Sequence, residues 1–373
     1  MKLYTKEISN KLNLKRFIKF PDKLYSGNKY YVPPIHSLEL RTLAPDENPA
    51  FEYSKAKYWL AYRGNRIVGR VAGIINFSYN ERYNINYARF GWLDFINDHE
   101  VVKLLLSMAE DWAIREGMSY VQGPMGFTSF DASGVLVEGF NELPTSFSHY
   151  NYSYYAGHIE KCGYKKDIDW IEYRIKVPER VPSKVSQGAE LIKKRYNLTP
   201  VKFGSKNEMM GYSEEMFRLL NECYDGLYGF SKISDNHIQQ LTKQFISFLD
   251  LEHVSLIKDH TDRLIGFGIV MPSLSEALQK VNGKIYPFGF LTLTRALRKN
   301  DTMDLLLMGI KPEFQNKGVN TIFFNEIMPF LIDNNYKWVE SNKELEDNKK
   351  IQQLWSKYEH RQHKRSRCYI KKL

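Results

Sequence analysis

The chain has 373 residues, enough for two domains at roughly 150 residues each, and 53 basic against 43 acidic side chains leave a net charge of +10. With 43% hydrophobic and 26% charged residues it reads as a folded globular protein rather than a disordered one. Cys162, Cys223 and Cys368 stand far apart with no CxxC pair, which argues against a disulfide framework or a zinc ribbon and fits a reducing cytoplasm. No apolar run approaches the ~20 residues of a bilayer span, and the first residues, MKLYTKEISNK, lack the apolar core of a secretory signal.

In chain order, β-rich runs at 58–62 and 67–77 flank a turn at Gly64-Asn65 and read as a hairpin. A strand at 88–95 follows, then a helix at 100–116. That helix carries Val101, Leu104, Leu105, Met108 and Trp112 on one face, and Gly117 closes it. After a short strand at 119–122 comes a long segment, 123–155, rich in Gly, Ser, Phe and Tyr. A helix at 154–162 and a strand at 169–177 complete the first half. Residues 178–200 hold Pro178, Pro182 and Pro200 around a short helix at 184–196 and read as a linker. The second half repeats the order: a hairpin at 254–258 and 264–271, a strand at 303–310, a helix at 319–333, a strand at 337–340, a helix at 348–358 and a strand at 365–371. The segment 123–155 has no counterpart there, and a loop of that length inside a compact domain is either functional or packed by its own aromatics.

The sharpest local signal is Met308-Gly309-Ile310-Lys311-Pro312-Glu313-Phe314-Gln315-Asn316-Lys317-Gly318-Val319-Asn320. An apolar strand ends at Pro312 and a Gln-x-x-Gly-x-Asn loop opens into an amphipathic helix. Backbone N–H groups of such a loop converge, and the helix N-terminus adds partial positive charge, so the turn suits a pyrophosphate. The bland alternative is an ordinary strand-to-helix turn. Neither GxxxxGK[ST] nor GxGxxG is present. The corresponding stretch of the first half, DFINDHE at 94–100, is acidic and unsuited to a phosphate, so one site is expected, in the second half.

The element order and the Gln315–Asn320 loop resemble the GNAT acyltransferase superfamily. Several short motifs in order resemble its YghO-like branch, which includes bacterial ceramide synthases. These are Tyr31-Val32-Pro33-Pro34, Asn48-Pro49-Ala50-Phe51, Gly69-Arg70-Val71-Ala72, Ala109-Glu110-Asp111-Trp112, Gly123-Pro124-Met125, the run from Gly134 to Phe140, Tyr150-Asn151, Tyr154-Tyr155 and Glu346-Asp347-Asn348. The resemblance implies an α/β protein of two fused GNAT-like units, each a mixed twisted sheet flanked by helices. Residues 1–177 form a degenerate unit with its insertion at 123–155, 178–200 the linker, and 201–373 the acyl-CoA-binding unit. It implies an acyl-CoA cosubstrate, with Gln315, Asn316, Lys317, Gly318, Val319 and Asn320 on the pyrophosphate and the strand through Met308, Gly309 and Ile310 beside the pantetheine arm. It further implies transfer of the acyl group to an amine, with sphingoid or other lipid amines among the candidates. Asn320 departs from the usual Gly or Ala, and Pro329 interrupts the following helix.

Acylating an amine requires a base for its proton and an acid for the leaving thiolate. Glu340 is the expected base, with Glu344 and Glu346 beyond it as lesser candidates, and Asp347 or Asn348 caps the last helix. The family's acid is a tyrosine whose place is taken by Trp355, which leaves Tyr358. The acceptor is expected near Tyr150, Asn151, Tyr154 and Tyr155. His360-x-x-His363 lies among arginines and lysines and is read as no metal site. The basic run from Arg361 to Lys372 is read as a solvated edge or a contact for anionic headgroups, with the protein in the cytoplasm or peripheral at the inner face of the membrane. Two alternatives stand beside this reading: short-chain acetylation of a small polar amine, and a non-catalytic basic module. No nucleic-acid partner is expected.

Overall fold

The computed structural model describes residues 1–244 and 246–373. The two hairpins expected from turn chemistry are present. Ser54–Arg63 pairs with Arg66–Asn76 around Gly64, whose φ is +61°, and Val254–Lys258 pairs with Leu264–Pro272. The helices His99–Arg115 and Asn320–Asp333 follow the strand after each hairpin, Tyr87–Phe95 and Thr302–Ile310. Val101, Leu105 and Trp112 of the first helix are buried with Val102, Leu106, Ala109 and Ala113, so its apolar face is broader than a single stripe.

The two halves do not close separate sheets. All fourteen strands of the described residues form one sheet. From one edge it runs Leu3–Glu7, Ser54–Arg63, Arg66–Asn76, Tyr87–Phe95, Tyr120–Gly123, His360–Lys372, Lys165–Lys176, Trp338–Ser341, Thr302–Ile310, Leu264–Pro272, Val254–Lys258 and Thr199–Pro200. The closing strands are exchanged. His360–Lys372, the last strand of the second half, lies against Tyr120–Gly123 of the first, while Lys165–Lys176 of the first pairs with Trp338–Ser341 of the second. The two exchanged strands pair with each other, antiparallel, along most of their length.

This exchange corrects the reading of the basic C-terminal run. It is an interior strand, and acids meet its cations: Arg361 pairs with Glu142, Lys364 with Glu172 at 3.0 Å, Arg365 and Arg367 with Asp169, and Lys371 with Glu110. Lys364 and Glu172 are both almost fully buried. Burying such a pair is tolerable only because each charge has its partner.

Segments outside the repeated pattern supply further elements. Lys11–Leu24 and His36–Leu43 cover the first half, and Ser213–Cys223 and Asp235–Gln244 cover one face of the second. Residues 178–200 are not a bare tether. Their helix, Ser183–Tyr196, packs Ala189 and Ile192 against Val319 and Ile322 at the start of Asn320–Asp333. Between Leu264–Pro272 and Thr302–Ile310 the chain makes an arm of two helices, Ser275–Val281 and Gly289–Arg298.

Candidate active site

The site grows from a fork in the sheet. Thr302–Ile310 and Trp338–Ser341 run parallel and pair through Thr302↔Trp338, Met303↔Val339, Asp304↔Glu340 and Leu305↔Ser341, then part. A bulge helps to turn the strand: Ile269 faces Leu307 and Val270 faces Leu305, so Leu306 is the extra residue. Asn342 Nδ2 donates to the Leu306 carbonyl at 3.1 Å, at the point where the strands separate. Beyond it the edge of residues 306–310 has lost its strand neighbour, and Tyr224 Oη donates to the Met308 carbonyl at 3.3 Å.

At the end of this strand the loop expected to hold a phosphate stands exposed. Asn316 and Gly318 have φ of +60° and +78°. A Cβ on Gly318 would lie 3.3 Å from Ile192 Cδ1 in a conformation that side-chain-bearing residues rarely adopt. Gln315 Nε2 ties the loop to the Ile310 carbonyl at 3.0 Å, and Lys317 Nζ lies over the rings of Phe314 and Tyr196. The helix Asn320–Asp333 begins at Val319 with no side-chain cap. Among the described residues, the N–H groups of Lys317, Gly318 and Val319 donate to no acceptor of the chain. Those groups fit a diphosphate, since they are donors in want of an acceptor at a positive helix end.

On the other side of the fork lies a cavity of about 270 Å³. Phe217, Leu241, Leu249, Ile269, Met271 and Leu306 give it apolar walls from the second half, and the insertion reaches across with Met125, Phe130, Asp131 and Phe147. Two carboxyls and one amine line it among these walls, Asp131, Glu344 and Lys343, beside the phenols of Tyr224 and Tyr228. Glu344 sits on the short strand Glu344–Leu345, which pairs with Ile171 and Trp170. Trp355 Nε1 donates to its Oε1 at 2.8 Å, while Oε2 is buried with no partner among the described residues. Burial pushes the Glu344 carboxyl up to about 7, opposed mainly by the Trp355 hydrogen bond. Burial likewise lowers the Lys343 ammonium to about 8, with Glu172 opposing, and raises Asp131 to about 6. Lys343 Nζ donates to the Ser133 carbonyl of the insertion.

The expected site residues fall in three places. Met308 lines the cavity, Gly309 and Ile310 continue its strand, and Gln315 to Asn320 form the open turn. Glu340 is buried below the fork and does not line the cavity; its carboxylate lies 3.7 Å from Arg174 Nε and 3.9 Å from Lys364 Nζ. Burial raises its pKa, and it also raises that of the adjacent Asp304, to about 8. Tyr358 lies outside the main cavity, with its ring against Phe324 and its hydroxyl raised to about 12 by burial. Tyr150, Asn151, Tyr154 and Tyr155 are likewise absent from the cavity wall. Asn151 brackets both polar backbone groups of Leu136, Tyr150 Oη accepts from Asn28, and Tyr154 Oη donates to the Phe95 carbonyl at 2.7 Å. Tyr155 Oη accepts from Phe95 N–H at 3.2 Å and contacts Tyr25 Oη at 2.6 Å. Glu346 pairs with Lys166 and Arg365, and Asn348 caps the last helix. Asp131, Lys343 and Asn342 escape sequence reading: only the fork and the folded-back insertion give them a role.

No protein-family model matches the chain. Protein YghO of Escherichia coli (strain K12) is 27% identical over 316 residues, covering 84% of this chain and 80% of that protein. The bacterial ceramide synthase of Caulobacter vibrioides is 26% identical over 312 residues, covering 81% and 79%. The chain is thus similar in sequence to both proteins over about four-fifths of its length. In structure it is similar to a tandem GNAT protein from the clavulanic acid biosynthesis pathway, with a TM-score of 0.57, 12% identity, and 100% and 98% of the two chains covered. That likeness carries the fold: a mixed α/β GNAT architecture in tandem. Within this GNAT architecture, the forked strands and the uncapped turn belong to the second unit.

Proposed function

We propose that this protein is an acyltransferase that moves the acyl group of an acyl-CoA onto an amine, and that the amine is a lipid. One observation carries the reading: an apolar cavity at the fork holds a buried carboxylate, Glu344, with one oxygen unpartnered. Lys317, Gly318 and Val319 would hold the diphosphate of the donor by their N–H groups, and the edge of Met308–Ile310, which has no strand neighbour beyond the fork, lies along the path from that turn into the cavity. The thioester supplies the activated acyl group. Glu344, half ionised near neutral pH, accepts the proton of the acceptor ammonium and frees its lone pair. Trp355, standing where the family has a tyrosine, orients that carboxylate through its indole N–H and has no proton to give a thiolate. The Lys343 ammonium, with its pKa near 8, is the acid of the cavity wall.

The apolar walls and the ceramide synthase relative favour a long acyl chain or a lipid acceptor over a small polar pair. The neutralised C-terminal strand removes the main reason to expect a basic binding module. The test is a thermal-shift and calorimetric series with acetyl-, octanoyl- and palmitoyl-CoA, followed by mass spectrometry of products with sphingoid and small polar amines. Burying each methylene stabilises by ~0.8 kcal/mol, so affinity should tighten about tenfold for every two methylenes until the cavity fills. A flat or falling series transfers the reading to short-chain acetylation. Coenzyme A thioesters that bind nowhere end it.

A further inference from the structure

The arm between Leu264–Pro272 and Thr302–Ile310 is unlike the rest of the surface. Among the described residues ten large apolar side chains are exposed, and four of them fall within six positions: Tyr286 at 80%, Phe288 at 73%, Phe290 at 44% and Leu291 at 56%. The helix that follows, Gly289–Arg298, buries none of its residues. Its half-buried side holds Leu293, Ala296 and Leu297, and its outer side holds Phe290, Leu291, Thr294, Arg295 and Arg298. The sequence from 277 to 300 contains no acidic residue. Lys284, Arg295, Arg298 and Lys299 have no ion pair among the described residues, so the arm carries their charge uncompensated beside its exposed apolar side chains.

The arm is also held in place rather than loose. Ser275 Oγ donates to the Pro144 carbonyl of the insertion, Gln279 Nε2 donates to the carbonyls of Lys29 and Tyr31, and the Gly283 carbonyl accepts from His36 N–H. Leu274 and Leu297 on its inner side pack on the apolar cluster of Phe217, Leu241, Ile269 and Met271, the same cluster that walls the cavity.

We propose that the tip and outer face of this arm, Tyr286 to Lys299, dock the protein on the surface of an anionic lipid bilayer. Aromatic and aliphatic side chains at the tip enter the headgroup–acyl boundary, and the arginines and lysines beyond them meet lipid phosphates. No helix of the described residues is long and apolar enough to cross a membrane, so the contact is interfacial. A symmetric pairing of two copies through this face is disfavoured, because it would bring the cations of Lys284, Arg295, Arg298 and Lys299 against one another without a matching acid. The docking goes beyond the acyl-transfer reading and stands or falls separately from it. If both hold, a lipid substrate leaves the bilayer beside the apolar cluster of the cavity.

The test needs no substrate. The whole protein is sedimented with vesicles of phosphatidylcholine alone and with vesicles containing about one-third phosphatidylglycerol. Binding is expected only to the anionic vesicles, weakening as salt rises. F288S/F290S/L291S and, separately, R295E/R298E/K299E should each lower the partition coefficient about tenfold or more, with unchanged thermal unfolding, since the altered side chains are exposed. In a third variant, Phe290→Trp, anionic vesicles should shift the added emission to the blue, and acyl-chain-brominated lipid should quench it. Absence of binding at low salt, or binding unaffected by both triple variants, overturns the proposal. So does a change of sedimentation coefficient in F288S/F290S/L291S without vesicles, which would make the face a contact between copies.

Discussion

The two halves place a helix after the same strand and treat its N-terminus in opposite ways. In the first half Asp98 caps the helix His99–Arg115, accepting from Glu100 N–H at 3.0 Å, and Arg63 pairs with the same carboxylate. An anion already sits where a phosphate would have to go. The neighbouring strand is closed as well: Tyr154 takes up the Phe95 carbonyl and Tyr155 the Phe95 N–H. In the second half the helix has no cap, the turn leaves three N–H groups without an acceptor, and the strand edge faces a cavity. One fold thus carries a sealed copy and an open copy, and the difference is a carboxylate and two phenols against a glycine and a gap. Two of the residues expected near the acceptor, Tyr154 and Tyr155, make this seal.

The comparison can be broken at either copy. The largest effect is expected at Glu344→Gln, which should lower kcat by ~100-fold or more while leaving donor affinity intact. In the unaltered protein the base form of Glu344 grows as pH rises through about 7, so kcat should climb across that range and level off above it. The same substitution should raise thermal stability at pH 8, because ionising a carboxyl whose folded pKa is raised costs stability above its unfolded pKa. Glu340→Gln, which breaks pairs with Arg174 and Lys364, should lower stability more than it lowers kcat. Next comes Gly318→Val, expected to weaken coenzyme A binding at least tenfold by calorimetry, roughly 1.4 kcal/mol. On the sealed side, Tyr155→Phe should cost about 1–3 kcal/mol in denaturant unfolding and leave the acceptor KM unchanged, since it leaves the Phe95 N–H without its buried partner. The smallest effect belongs to Asp98→Ala: about 1 kcal/mol of stability and no gain or loss of coenzyme A affinity. If Asp98→Ala instead created a second coenzyme A site, the cap alone would be the seal.

Local chemistry explains which features were legible. Gly64 at a two-residue turn and the strand-to-helix turn at Gln315–Asn320 act within a dozen residues and lie where expected, as does the helix His99–Arg115, although its buried face takes in Val102, Leu106, Ala109 and Ala113 and leaves Leu104 and Met108 half-buried. Elements outside the repeated pattern, such as Gly289–Arg298, carry helical apolar spacing but have no counterpart in the other half to mark them. The exchange of closing strands was illegible because either closing strand pairs equally well, by pattern, with either half. Its trace was the alternation of Lys364, Arg365 and Arg367 with partners nearly 200 positions away, at Asp169 and Glu172, which reads as a solvated charge run until the strands are side by side. Glu344 was visible as one of several acids near a turn. What separates it from Glu340 is the wall it stands in, and only the fork and the folded-back insertion define that wall.

The exchanged strand has a consequence for how the molecule is made. Residues 1–177 leave the ribosome long before 360–372, yet Tyr120–Gly123, paired on one side with Tyr87–Phe95, finds its second neighbour only in the latter. The early half must therefore wait with an unfilled gap beside Lys165–Lys176 until translation has passed both units, and neither can mature alone. Proteolytic loss of the last dozen residues would unzip both halves at once rather than trim one of them.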